Sequence, residues 1–125
     1  MRTELTLTIP ETWWLNANHR THWAKKAAAT ANLRVHTLAE AQRHKLIKGL
    51  TRVRIVAYIT YPRAGINDPN NAAPTTKAIV DGLVDYGLVP DDNYRHVTGP
   101  DHRYAGVTKG ERTIRLVIEP LEDTP

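Results

Sequence analysis

Residues Thr51–Pro62 read TRVRIVAYITYP. Val53, Ile55, Ala57 and Ile59 alternate with Arg52, Arg54 and Tyr58, the period-two pattern of a strand with one buried face. Pro62 cannot donate to a sheet ladder and closes the run. The other elements are placed around this strand. Upstream, Glu4 to Ile9 also alternates, with Leu5, Leu7 and Ile9 on one face. Between the two strands the composition predicts a long helix from about His22 to Leu46, capped by Thr21 and ended by Lys48-Gly49. Its apolar stripe reads Ala31, Val35, Leu38, Ala39 and Leu46, interrupted by Gln42.

Downstream, RAGINDPNNAA is a loop, and Pro74 suits the first turn of a second helix that runs to about Tyr86 and stops at Gly87. Ile79, Val80 and Leu83 form its apolar face. VPDDN is a turn, and Tyr94 to Val107 reads as extended but broken at Gly99-Pro100. Lys109-Gly110 predicts a hairpin turn into a last strand with Ile114, Leu116 and Ile118 inward, and PLEDTP from Pro120 predicts a frayed tail. The order β-α-β-α-β-β implies one α/β (α+β) domain over residues 1–125, with a small mixed sheet and two helices.

A chain of 125 residues builds one core and leaves much surface exposed, which suits a homodimer. Without cysteine there are no disulfides and no zinc-thiolate sites, as in a reducing cytoplasm. No apolar run approaches membrane-spanning length, and MRTELTLTIP lacks the apolar core of a signal peptide, so a cytoplasmic protein is expected. The chain contains no serine nucleophile and no glycine-rich phosphate loop, so no nucleotide cofactor is expected.

Charge is unevenly placed. From Asp68 to Asp92 there are five aspartates and one lysine, so this window sums to −4 within a chain of net charge +4. A basic body around an acidic pocket suits a polyanion held by the body and a cation held by the pocket, although a soluble protein with a mildly basic surface carries the same charge. Asp68 follows the central strand, Lys77 and Asp81 lie one turn apart on the second helix, and Asp91 and Asp92 lie in the turn after it. A strand-helix-strand return can bring the first and last of these together. Clustered carboxylates repel unless a cation neutralises them, and magnesium prefers such hard oxygen ligands, with manganese able to substitute. Taken singly, each aspartate has a plainer reading. Asp68-Pro69-Asn70-Asn71 and Pro90-Asp91-Asp92-Asn93 are good turn sequences. Lys77 and Asp81 also suit a surface pair worth a few tenths of a kcal/mol, and Asp85 reads as solvated surface.

The order Asp-x-x-Asn, then Lys-x-x-x-Asp-Gly-Leu, then Gly-Leu-x-x-Asp-Asp resembles the Holliday-junction resolvases of the RusA type, including their phage-encoded relatives. It is carried by Asp68, Asn71, Lys77, Asp81, Gly82, Leu83, Gly87, Leu88, Asp91 and Asp92. The upstream LNANHRTHW is similar to the family's N-terminal segment, and the likeness spans roughly residues 5 to 118. The resemblance implies a small dimeric endonuclease that binds four-way DNA junctions and makes paired, magnesium-dependent nicks. It implies that Asp68 and Asp92 bind metal and that Lys77 contacts the scissile phosphate or leaving oxygen. Asn70, Asp81 and Asp91 are the supporting ligand candidates, and Asn71 matches a recurrent motif position and is a DNA-contact candidate. One departure is that many members read Asp-x-Asp-Asn, whereas Asn70 replaces the middle carboxylate here with an uncharged amide. The other is a spacer of five residues between Asn71 and Lys77, longer than the compact form, with Pro74 as in phage-type members.

Phosphate-contact candidates are Asn18, His19, Arg20, Lys25 and Lys26 upstream, and Arg95, His96, His102 and Arg103 after the acidic turn. His19 and His22 would pair as metal ligands only if helical. Trp13 and Trp14 either stack on exposed bases or pack in the core, and Trp23 reads as buried in a core or dimer interface. Arg52 and Arg54 line a DNA surface or protect a sheet edge. A non-cleaving DNA-binding module and a nuclease for flaps or RNA are the alternatives.

Overall fold

The computed structural model describes residues 2–121. The elements are β1 (Thr3–Thr8), α1 (Trp23–Arg43), β2 (Val53–Tyr61), α2 (Ala73–Tyr86), β3 (Val97–Val107) and β4 (Thr113–Pro120), with 3-10 turns at Glu11–Trp13 and Pro69–Ala72. This is the expected β-α-β-α-β-β order and a mixed α+β domain. The sheet order is β1-β4-β2-β3. β4 runs antiparallel to β1 and β2, while β2 and β3 are parallel, joined by the helical crossover such a pair requires.

The period-two reading of β2 holds along its whole length. Val53, Ile55, Ala57, Ile59 and Tyr61 are buried beneath the helices, and Arg54 faces out. Arg52 and Arg54 do not guard an edge, because β2 lies between β4 and β3. The core joins these residues to Leu5 and Leu7, to Ile114, Leu116 and Ile118, and to Leu33, Ile79 and Leu83 of the helices.

Several expectations change. The buried stripe of α1 is Ala29, Leu33, Thr37 and Ala41, not Ala31, Val35 and Ala39, which face solvent. Packing on α2 selects that narrower face. At Gly82 of α2 an added Cβ would lie 2.7 Å from the Arg34 carbonyl oxygen and 2.8 Å from Thr37 Cβ, so the helices meet through small residues and a buried threonine. Helix α1 is capped by His22, whose Nδ1 accepts from the Ala24 amide, and it ends at Arg43, before Lys48-Gly49. Trp23 is 76 % exposed and outside the core.

The Lys109-Gly110 turn does not join neighbouring strands. β2 lies between β3 and β4, and the turn wraps the end of β2: the Thr108 amide donates to Tyr61 O at 2.9 Å and the Gly110 amide to Pro62 O at 3.0 Å. Strand β3 starts at Val97, and its expected break at Gly99-Pro100 is a register shift opposite Arg54–Val56. Pro120 and Leu121 are not frayed. Pro120 pairs with Val53 and the Leu121 amide donates to Arg52 O, while the rest of the expected tail lies outside the described residues. Gly87 ends α2 at φ 100°, the left-handed C-cap expected for it.

Candidate active site

Helix α2 and the connection after it build the acidic centre. Lys77 Nζ donates to Asp81 Oδ1 at 3.1 Å, one helical turn away, and also to Asp92 Oδ2. Asp92 arrives from the α2–β3 connection because Asp91 shapes it: the Asp91 carboxylate accepts from the Asp92 amide at 2.7 Å and from Asn93 Nδ2 at 3.1 Å. The hydrogen bond from Lys77 is the main cause holding the Asp92 carboxyl below its usual range, and Asp92 in turn holds the Lys77 ammonium above its own. The Lys77 side chain remains largely exposed, so it can meet a ligand.

Lys77 and Asp92 border a cavity of about 310 Å³ shared with Thr76, Gly99, Pro100 and His102. His102 lies opposite Ala57 on the helix-covered side of β3, with Nε2 2.8 Å from Thr76 Oγ1. Burial holds its pKa below the ordinary value, opposed by the charges of Asp101 and Asp68. Lys77 pairs with Asp81 and Asp92 rather than with Asp68. The Asp68 carboxylate accepts from the Asn70 amide at 3.0 Å and caps the 3-10 turn, so the turn reading of DPNN is correct as local structure. Asn70 is exposed beside it.

Asp81 and Asp92 both present oxygens to one ammonium, which makes this a place for a cation between carboxylates. Their hard oxygen donors suit magnesium, which commonly takes one or two carboxylates and completes its shell with water and substrate. Among the described residues no group of three or more His, Cys, Asp or Glu gathers as a fuller cage. Asp85 is not simply solvated: Arg34 of α1 grips it through two nitrogens, Nη2 at 2.8 Å from Oδ1, and so pins α1 to α2.

The basic loop is tied to the start of α2. The Leu15 amide donates to Thr75 Oγ1 at 2.8 Å, Thr75 Oγ1 donates to Leu15 O at 2.9 Å, and the Ala17 amide donates to Asn71 O at 2.9 Å. This seats His19, Arg20 and Lys26 around a groove of about 320 Å³ that reaches Pro74. Asn18 and Lys25 are exposed nearby in sequence. His19 and His22 precede α1 rather than lying on it, so they lack the helical spacing a metal pair needs.

Arg95 lies exposed in the turn three residues beyond Asp92, its guanidinium over the Tyr94 ring. His96 Nδ1 is engaged with Thr51 O at 2.8 Å. Arg103 pairs in register with Tyr58, on the open face of the sheet away from the acidic cavity.

No family model and no curated protein matches this chain.

Sequence reasoning missed Thr75 and Thr76, whose hydroxyls organise the loop and His102. It also missed a third cavity, of about 570 Å³, at the end of β2, where Arg63, Tyr61 and Arg112 meet Trp14 and His19. The Arg112 guanidinium lies 4.6 Å over the Trp14 ring, and Tyr61 meets that ring edge-on. Trp14 is thus a half-buried wall residue, while Trp13, also half-buried, packs against the core and edge-on to His36. No local motif marks Arg112, because its place depends on the turn wrapping β2.

Proposed function

We propose that this protein is a magnesium-dependent endonuclease of branched DNA that resolves four-way junctions by paired nicks. The observation that carries the reading is the meeting of Asp81 and Asp92 at the Lys77 ammonium, with Lys77 and Asp92 lining one cavity and Lys77 and Asp81 on the helix whose first turn anchors the basic loop. A phosphodiester suits that spot: carboxylates favour a hard cation while neighbouring cations take the flanking phosphates. The motif order resembling RusA-type resolvases supports the same assignment.

Asp92 and Asp81 would hold the magnesium ion, which when bound supplies a more acidic water and neutralises phosphate charge, while Asp68, which the resemblance also assigns to metal, does not gather with them as a third ligand. Lys77, whose pKa is raised by its carboxylate partners, stays charged at neutral pH and can stabilise negative charge building on the phosphate or leaving oxygen. His19, Arg20 and Lys26 position the strand through phosphate contacts, which set register without reading sequence. In a homodimer, a two-fold axis would pair the nicks. The outward apolar stripe of Ala31, Val35 and Ala39 is a surface suited to that contact.

The test uses labelled four-way junction, duplex, flap and RNA, with magnesium and with chelator. Paired nicks in the junction that need the metal are expected. Asp92→Asn is expected to slow cutting about 100-fold or more while junction binding persists. A second reading, a branched-DNA-binding module that does not cut, is favoured by Lys77 already neutralising two carboxylates and by Asn70 in place of an acid. Tight junction binding without nicking in magnesium or manganese would establish it. Preferential cutting of flap or RNA would redirect the substrate instead.

A further inference from the structure

The 570 Å³ cavity at the end of β2 is separate from the acidic centre, and its charge is unspent. The turn wrapping β2 delivers Arg112, and the Ile9 amide, donating to Arg112 O at 2.8 Å, ties it to the end of β1. Arg112 Nε is buried and has no hydrogen-bond partner. Arg63 faces the same cavity close enough to repel Arg112. Among the described residues no carboxylate forms an ion pair with either arginine. Glu11 also lines the cavity and attracts Arg112 at longer range, so two guanidinium groups stand against one carboxylate.

A buried donor without a partner and a pair of like charges both cost stability, and an oxyanion between them relieves both at once. The cavity is larger than a lone phosphate needs and falls within the range of nucleotide-sized ligands. Its remaining polar walls include Asn16 and Asn67, whose amides carry both donors and acceptors, as a base edge does. Trp14 is covered on one face by Arg112 and flanked by Tyr61, so recognition here runs through charge and amides more than through stacking.

Position completes the case. His19 lines both this cavity and the basic groove, and Asn67 immediately precedes Asp68. A strand crossing the basic loop and Asp68 therefore brings its neighbouring nucleotide here. We propose that this cavity holds one unstacked nucleotide of the DNA strand, its phosphate between Arg63 and Arg112 and its base edge toward Asn16 and Asn67. The proposal rests on the nucleic-acid reading above and supplies its selectivity. A continuous stacked duplex presents no such nucleotide, whereas a branch point or single strand does.

Fluorescence anisotropy with a labelled single strand of about twenty nucleotides and a duplex of the same sequence, long enough to stay paired, tests this, on the wild type, Arg63→Gln and Arg112→Gln. Each variant is expected to weaken single-strand binding at least tenfold and duplex binding less than threefold. Arg63 is an exposed loop residue, so Arg63→Gln keeps the test decisive if Arg112→Gln fails to fold. Unchanged single-strand binding, or equal loss on both ligands, overturns the proposal. So does competition by inorganic phosphate as effective as that by the mononucleotide, which would leave only an anion site. If the arginines govern strand binding but the wild type cuts no junction, the pocket stands and the nuclease reading falls.

Discussion

Thr75→Val tests the join between the basic loop and the helix that carries Lys77. The two side chains have nearly the same shape, so the change exchanges a hydroxyl for a methyl and opens no cavity. Thr75 is fully buried, and its hydroxyl both accepts from the Leu15 amide and donates to the Leu15 carbonyl, at 2.8 and 2.9 Å. Valine leaves both backbone groups buried and unpaired, and each such group costs about 1–3 kcal/mol. Allowing for partial relaxation of the loop, a loss of about 2–4 kcal/mol is expected, a large share of the roughly 5–15 kcal/mol that holds a domain folded. With a urea slope of about 2 kcal/mol per molar, the unfolding midpoint should fall by about 1–2 M. Thr75→Ser keeps the hydroxyl and should cost only about 1 kcal/mol for the lost methyl. Under native conditions Thr75→Val should also weaken junction binding, because His19 and Arg20 lose their tether. A Thr75→Val protein within about 0.5 kcal/mol of the wild type, or a serine variant as damaged as the valine one, would refute the reasoning.

At Gly82, alanine gains about 1 kcal/mol of helix propensity, but its Cβ would press on the Arg34 carbonyl oxygen at 2.7 Å and on Thr37 Cβ at 2.8 Å. Overpacking of about 1–3 kcal/mol should win, so thermal unfolding should show Gly82→Ala to be the less stable protein; a raised melting temperature would mean that the helices part freely. His102 makes stability depend on pH. Burial favours its neutral form, so below the ordinary value of 6.5 the unfolded chain binds more protons than the folded one. Stability should thus be full above that value and fall as pH drops through it toward the lower folded value. Urea unfolding of wild type and His102→Gln between about pH 8 and pH 5 measures this, and equal slopes would show that other groups carry the dependence.

Much of the fold is legible in local chemistry. Alternation announced β1, β2 and β4, because a half-buried strand must repeat every two residues, and Gly87 announced the end of α2 because few other residues accept its dihedral angle. The face of α1 was not legible. Its abundant alanines let several stripes look apolar, and only contact with Gly82 on α2 chose Ala29, Leu33, Thr37 and Ala41.

The candidate site divides in the same way. Lys77 and Asp81 are one turn apart in any helix, so the sequence alone determined that pair. Bringing Asp92 to the same ammonium needed the path of the α2–β3 connection, and setting His102 against Thr76 needed the parallel pairing of β2 with β3. Arg112 is the extreme case: no neighbour in sequence hints at its role. Because β4 crosses to the far side of β2, the connecting turn carries that guanidinium to Trp14, Tyr61 and Arg63, residues about fifty to one hundred positions away. Periodicity and spacing reach about one helical turn along a chain, and charges that meet across a sheet lie beyond that reach.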